Sequence, residues 1–215
     1  DVGWRAVAAN LSDLAASGVD QILGITVGLV APGHTPWSWV EGVYRGIDSL
    51  LEVSGGVLLG GDCSQGPVRM ISITAIGTLG PLRLHRSQAR PGDWIVVSGA
   101  HGLSRLGLAL LLEDPSLLGV TLPSALKEQA IRQHQRPQPK LDALKLLVTC
   151  KPEELPWRAG GTDSSDGLLQ AIDCLCRSSG CGAVLDKTKL PQACGWPDGP
   201  HWQRWCLSGG EDFEL

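Results

Sequence analysis

No run of about 18 consecutive apolar residues occurs in the 215 residues of this chain, so no segment is long enough to be read as a membrane-crossing helix. The start lacks the basic-then-apolar pattern of a secretory leader, and a cytoplasmic location without membrane partners is the resulting expectation. An excess of positive charge is missing too. The 22 acids against 18 bases leave a formal charge of −4, which excludes a broad nucleic-acid-binding face and leaves only local basic pockets. There is no Gly-x-x-x-x-Gly-Lys-Ser/Thr loop and no His-Arg-Asp catalytic loop, so the common nucleotide-binding folds are disfavoured. No Ser-His-Asp or Cys-His arrangement is suggested by spacing. Methionine occurs once, at Met70, and the chain opens on Asp1 and stops at Phe213-Glu214-Leu215, so it reads as part of a longer protein.

Cysteine is present but in no framework. Seven cysteines form an odd set better read as reduced thiols than as disulfides. Cys174, Cys176 and Cys181 are the one close group. Positions 174 and 176 point apart on a helix, which argues against zinc and for small buried hydrophobes.

What the chain does have is acid placed at bends. Asn10-Leu11-Ser12-Asp13, Gly60-Gly61-Asp62, Asp163-Ser164-Ser165-Asp166-Gly167 and Gly209-Gly210-Glu211-Asp212 each set a carboxylate beside small residues. Glycine permits close approach of the backbone to a ligand, and acids held there tend to grip something. Carboxylates that converge repel by about 4 kcal/mol per pair at 4 Å and an effective dielectric near 20. A hard divalent cation such as magnesium relieves that repulsion, and magnesium shared between carboxylates and phosphate is the usual arrangement in nucleotide chemistry.

Periodicity organises the rest. Trp4, Val7, Ala8, Leu11, Leu14 and Ala15 predict a helix up to Gly18, with Asp13 on its last turns. A strand is expected over 22–30, then a helix whose apolar face carries Val43, Tyr44, Ile47 and Leu50. Strands over 57–59 and 68–76 are expected to flank a loop at 60–66. A boundary near residue 88 divides the chain into 1–88 and 89–215. The second part reads as helices near 103–113, 123–134, 140–149 and 165–178 alternating with strands near 94–97, 158–162 and 182–186. The fold class is α+β.

Each acidic motif also has a plain reading. Ser164 or Ser165 can simply cap the helix that follows, with Asp166 in its first turn, although a helix start is equally a phosphate seat. Gly60-Gly61-Asp62 alone can mark a turn, and Asp93 after Pro91-Gly92 reads as a turn residue. Arg86 reads as a surface arginine or, at a domain junction, as a bidentate phosphate grip. His134 and Arg136 before Pro137 read as a helix end.

In order, Asn10-Leu11-Ser12-Asp13-Leu14-Ala15-Ala16, Gly60-Gly61-Asp62, Arg86-Ser87 with Pro91-Gly92-Asp93, His134-x-Arg136-Pro137, Asp163-x-Ser165-Asp166-Gly167-Leu168 and Gly209-Gly210-Glu211-Asp212-Phe213-Glu214-Leu215 resemble the thiamine-monophosphate kinase family of the aminoimidazole ribonucleotide synthetase-like superfamily. The resemblance covers the whole chain. It implies two domains: an N-terminal αβ domain that contributes to a dimeric β-barrel, hence a homodimer, and a C-terminal α/β sandwich domain. It implies ATP-dependent phosphorylation of thiamine monophosphate to thiamine diphosphate with several magnesium ions. Carried over by position, Asp13, Asp62, Asp163 and Asp166 are metal ligands; Tyr44, Gly61, Asp62, Arg86 and Ser165 contact ATP; Glu211 contacts the substrate. No general base is implied, since a phosphate oxygen is the nucleophile and the protein aligns and neutralises charge.

The chain departs from the family pattern in several places. Cys63 stands where threonine is usual, Gln88 where glycine is usual, and Thr162 and Ser164 replace apolar residues. The family's early Gly-Asp-Asp metal loop would precede Asp1, and its last substrate-contacting residues would follow Leu215. Alternatives are another ATP-using enzyme of the superfamily, selenophosphate synthetase or a hydrogenase-maturation type, and a non-catalytic dimerising remnant.

Overall fold

The computed structural model describes residues 1–154 and 158–215. It begins with α1 (Val2–Ala16), whose apolar residues at helical spacing bury Trp4, Val7, Leu11 and Ala15. Gly18, at φ 83°, turns the chain into β1 (Val19–Ala31). Along β1 the alternating Ile25, Val27 and Leu29 are buried, as period-2 spacing on a one-sided sheet requires. Helix α2 (Trp37–Ser54) then crosses over and returns the chain as β2 (Val57–Gln65). β2 pairs with β1 in parallel, Gly24 opposite Val57 and Ala31 opposite Gln65. β3 (Met70–Leu79) closes on the other side, antiparallel, from Val19 opposite Leu79 to Val30 opposite Met70. The sheet order is β2-β1-β3.

Both α1 and α2 lie on one face of this sheet, and their contact is a first hydrophobic core built on Val7, Leu11, Ile25, Ile47 and Leu50. The helices approach closely because α1 offers Gly3, where an added Cβ would collide with the carbonyl of Val43. The opposite sheet face is uncovered. Leu23, Leu59, Met70 and Ile76 are exposed there and along the β2 edge, and every residue of β2 is exposed.

The second core lies in α3 (Leu103–Leu111), α4 (Ser124–Gln135) and α7 (Pro200–Ser208), around Leu106, Leu126, Ala130, Trp202 and Trp205. Two more helices complete the chain: α5 (Leu141–Cys150) and α6 (Leu168–Ser179). Leu144 of α5 belongs to the first core, and Ala159 and Leu215 pack against that core. Among the described residues no helix is long and apolar enough to cross a membrane.

The mixed α+β class and every expected helix are present, α7 being an addition. The strand expectations need correction. The segment 60–66, expected as a loop, is mostly strand. Its glycines hide the pattern, but Gly61 sits opposite Val27 where a Cβ would strike the Val27 carbonyl, so the glycine serves close strand pairing. Segments 94–97, 158–162 and 182–186 form no ladder among the described residues. At 94–97 and 182–186 the apolar side chains stay largely exposed, Trp94 at 90% and Val184 at 95%. The expected Ser164 or Ser165 cap of α6 is not made either, since α6 starts at Leu168 behind Gly167.

The α3–α4 crossing also depends on a glycine, Gly107, where a Cβ would meet the Ala130 carbonyl. Gly107→Ala is expected to destabilise the fold by about 1–3 kcal/mol by forcing the two helices apart. Urea unfolding followed by circular dichroism reads this directly, and an unchanged midpoint would contradict close packing at this crossing.

Candidate active site

Helix α1 brings its acidic end against the loop that precedes α6. Ser12, fully buried, donates its hydroxyl to Asp163 Oδ2 at 3.3 Å, and Asp13 follows it on the exposed side of the helix. Both aspartates line a cleft of about 460 Å³ that also presents Arg86, Thr162 and Ser178. Partial burial and the neighbouring Asp163 charge push the Asp13 carboxyl pKa up, while Arg86 pulls it down. This is the electrostatic signature of two acids converging near one cation. Arg86 is held in place from two sides. Its Nε donates to Thr162 Oγ1 at 3.1 Å, and its carbonyl accepts from Ser179 Oγ at 2.7 Å at the end of α6.

Thr162 and Ser164 thus both have partners. Thr162 steadies Arg86, and Ser164 Oγ lies 2.9 Å from Nε2 of the buried His101. His101 Nδ1 is 3.1 Å from the Gly99 carbonyl. With Nδ1 donating to that carbonyl, Nε2 accepts from the serine hydroxyl. Burial pushes the His101 pKa down and keeps the ring neutral.

The C-terminal segment builds the other end of the site. Glu211, at φ 65°, donates its N–H to the Ser165 carbonyl at 2.7 Å. Asp212, fully buried, accepts from the N–H groups of Gly102 and Ser104 at 2.6 and 2.7 Å, at the start of α3. Glu214 accepts from Ser98 Oγ at 2.5 Å and pairs with Lys140 at 3.0 Å. Its carbonyl takes the Ser164 N–H at 2.8 Å. Glu211 borders a smaller pocket of about 150 Å³ with Ser104, His134 and Gly210.

Of the residues singled out in the sequence, Asp13, Asp163 and Arg86 therefore share one cleft. Ser165 and Glu211 are joined by a backbone bond beside the smaller pocket, and the segment 163–165 runs between the two. Asp166 is exposed just ahead of α6. Asp62 and Gly61 stand apart from the cleft lining, on β2, where Asp62 Oδ2 accepts from Ser64 Oγ at 2.8 Å. Tyr44 on α2 reaches Cys63 Sγ at 3.9 Å. Successive strand residues point to opposite faces, so Asp62 faces away from Tyr44. Among the described residues no group of three or more His, Cys, Asp and Glu is arranged to hold a metal. Asp93 is a turn residue, closed by the Arg90 N–H and paired through both oxygens with Arg158 at 2.7 Å, which lowers its pKa to about 2. α4 ends at Gln135, as the His134-x-Arg136-Pro137 sequence suggested. All seven cysteines are free, but Cys174, Cys176 and Cys181 are half-exposed and not buried hydrophobes.

Residues 1–79 match the family described as AIR synthase related protein, N-terminal domain. Thiamine-monophosphate kinase of Prochlorococcus marinus is 61% identical over 214 residues, covering 100% of this chain and 64% of that protein. Over its whole length the chain is similar to thiamine-monophosphate kinases. The crystal structure of thiamine-monophosphate kinase from Stenotrophomonas maltophilia K279a superposes with a TM-score of 0.83 at 30% identity, over 99% of this chain and 66% of that one. AaThiL complexed with AMPPCP and TMP superposes equally well, with a TM-score of 0.83 at 28% identity, over 99% of this chain and 66% of that one. The chain thus spans just under two thirds of the thiamine-monophosphate kinases it matches.

Ser12, Thr162 and Asp212 stand out in the sequence as parts of motifs or departures but without a role of their own, and nothing there marks Arg5, which lies two helical turns before Asp13 on the same helix. Asp212 is the most perturbed acid. Burial pushes it from its ordinary value near 3.8 to about 7, against the pull of its two backbone N–H donors. A carboxyl raised on folding contributes stability that is complete below the unfolded value and lost as pH rises through the folded one. Unfolding free energy is therefore expected to fall between pH 4 and 7 and to level off above, with the slope reduced in Asp212→Asn. Equal pH slopes for the two proteins in urea titrations would refute this assignment.

Proposed function

We propose that the protein containing this chain transfers the γ-phosphoryl group of ATP to thiamine monophosphate, giving thiamine diphosphate, and that the cleft between α1 and the Thr162–Asp163 loop is the phosphate end of its active site. The observation that carries this reading is the convergence of Asp13 and Asp163 beside Arg86, in a chain similar along its length to thiamine-monophosphate kinases.

The carboxylates of Asp13 and Asp163, lining one cleft, would suit a hard cation, because their mutual repulsion is relieved by one. Asp166 is proposed as a further ligand from the α6 approach, and Asp62, which stands apart from this cleft on the other face of β2, as a ligand of a separate ion. When bound by these carboxylates, magnesium would supply charge neutralisation for the phosphate oxygens. Arg86, braced by Thr162, meets a phosphate oxygen with a charge-assisted bond. Tyr44, Gly61 and Ser165 are proposed contacts of the nucleotide. Glu211 faces the thiamine side, and its turn is tied to Ser165, so nucleotide and substrate contacts are set by one hydrogen-bonded pair of loops. No side chain is required to remove a proton, since the acceptor is an existing phosphate oxygen.

Two domains divided near residue 88 are part of the same proposal, the second of them an α/β sandwich. So are a cytoplasmic location and a homodimer whose barrel is completed by the uncovered face of the β2-β1-β3 sheet. Exposed apolar side chains on an otherwise polar strand surface support a protein partner there.

Full-length protein supplied with magnesium, ATP and thiamine monophosphate should release thiamine diphosphate, detected by chromatography of the products. Asp62→Asn should abolish release while leaving the circular dichroism spectrum unchanged. Undiminished turnover in that variant would remove Asp62 from the metal site, and absence of product from the unmodified protein would overturn the assigned reaction.

A further inference from the structure

Glu211 is held more elaborately than a surface glutamate needs. Its backbone occupies the left-handed region at φ 65°, where a residue other than glycine stays only if its surroundings fix it. The N–H bond to the Ser165 carbonyl fixes the main chain, and Gly210 allows the close approach, since a Cβ there would collide with that same carbonyl. The side chain is fixed separately. Arg5 of α1 donates from Nη2 to Glu211 Oε2 at 2.6 Å, and among the described residues no hydrogen bond reaches Oε1. Arg5 is itself anchored from behind. Its Nη1 donates to the carbonyl of His134 at the end of α4, while the His134 ring places Nδ1 3.0 Å from Ser104 Oγ.

The Arg5–Glu211 pair is 24% and 52% exposed, a setting in which an ion pair contributes little to stability. What the arrangement does provide is direction. A planar guanidinium with one N–H committed to a backbone carbonyl can offer the next only along a set line. The glutamate it meets borders the small pocket, and its second oxygen is left for another donor.

We propose that Arg5 is a positioning residue, which pins Glu211 through one carboxylate oxygen so that the other is presented to a hydrogen-bond donor on the thiamine end of the substrate. The proposal rests on the reading of Glu211 as a substrate contact. Arg5 lies two helical turns from Asp13, so it acts on the accepting substrate and not on the nucleotide end.

Steady-state kinetics of the full-length protein test it with Arg5→Gln, Arg5→Lys, Glu211→Gln and the double variant Arg5→Gln/Glu211→Gln. Glu211→Gln should raise KM for thiamine monophosphate with KM for ATP unchanged. Arg5→Gln should raise the same KM by about tenfold, in line with the cost of a misplaced binding group, without moving the urea midpoint. Arg5→Lys should recover part of the loss. The double variant should be no worse than Glu211→Gln alone, because Arg5 has nothing left to position. A normal KM in Arg5→Gln beside a raised one in Glu211→Gln overturns the positioning role and leaves the reading of Glu211 intact. Additive losses, or a raised KM in Arg5→Gln with Glu211→Gln silent, show Arg5 acting on its own and also overturn it. Normal kinetics in Glu211→Gln remove the underlying reading first. If Arg5→Gln does not fold, the comparison is made with Arg5→Lys in both Glu211 backgrounds, where a loss that survives Glu211→Gln is the overturning result.

Discussion

Two buried carboxylates in one short C-terminal segment hold this structure together. Asp212 and Glu214 are almost completely buried, and burying a charge is costly unless each oxygen finds a partner. Asp212 finds the open N–H groups at the start of α3, and Glu214 finds Ser98 and Lys140. The main chain between them is also engaged: Gln133 donates to the Asp212 carbonyl, and Ser164 donates to that of Glu214. Segments distant in sequence, 98–104, 133–140 and 162–165, are thereby brought to a single strip of chain. That strip, together with the Ser164–His101 contact, fixes the loop carrying Asp163 against the start of α3 and the end of α4.

The candidate site follows from this arrangement. Asp163 and Ser165 are two residues apart, and one faces the larger cleft while the other bonds the Glu211 turn. Ser164 between them is locked to His101 and Glu214. A neutral, buried histidine in that position gives a hydroxyl partner without adding charge to a region that already holds several acids. Arg86 and Lys140 supply the nearby positive charge, each held by a specific contact. Such a site can supply charge neutralisation and alignment.

How much of this could be read from the residues varies with the kind of information involved. Helices declared themselves through apolar spacing in α1 and α2, and the acidic bends declared themselves through glycine and serine beside aspartate. The convergence of Asp13 with Asp163 was foreseen only as a general tendency of such motifs to meet, because 150 residues separate them. β2 was underestimated because Gly60, Gly61, Asp62 and Ser64 lack β propensity, and its strand character comes from pairing with β1. The opposite error occurred at 94–97 and 182–186, where apolar residues suggested strands but no ladder forms to use them. Nothing in the sequence marks Arg5, and Asp212 stands out only as one acid of the Gly209-Gly210-Glu211-Asp212 bend. Their importance comes from partners 206 and 108 or more residues away.

Helix α1 carries one further implication. Arg5 meets the Glu211 turn, and Ser12, seven residues later, meets Asp163. At about 1.5 Å of rise per residue these two anchor points are roughly 10 Å apart along a rigid rod. The helix therefore works as a ruler. The span between the two ends of the pocket is graduated in whole residues, so a single insertion or deletion between positions 5 and 12 would swing one anchor about 100° around the rod and out of reach of its partner.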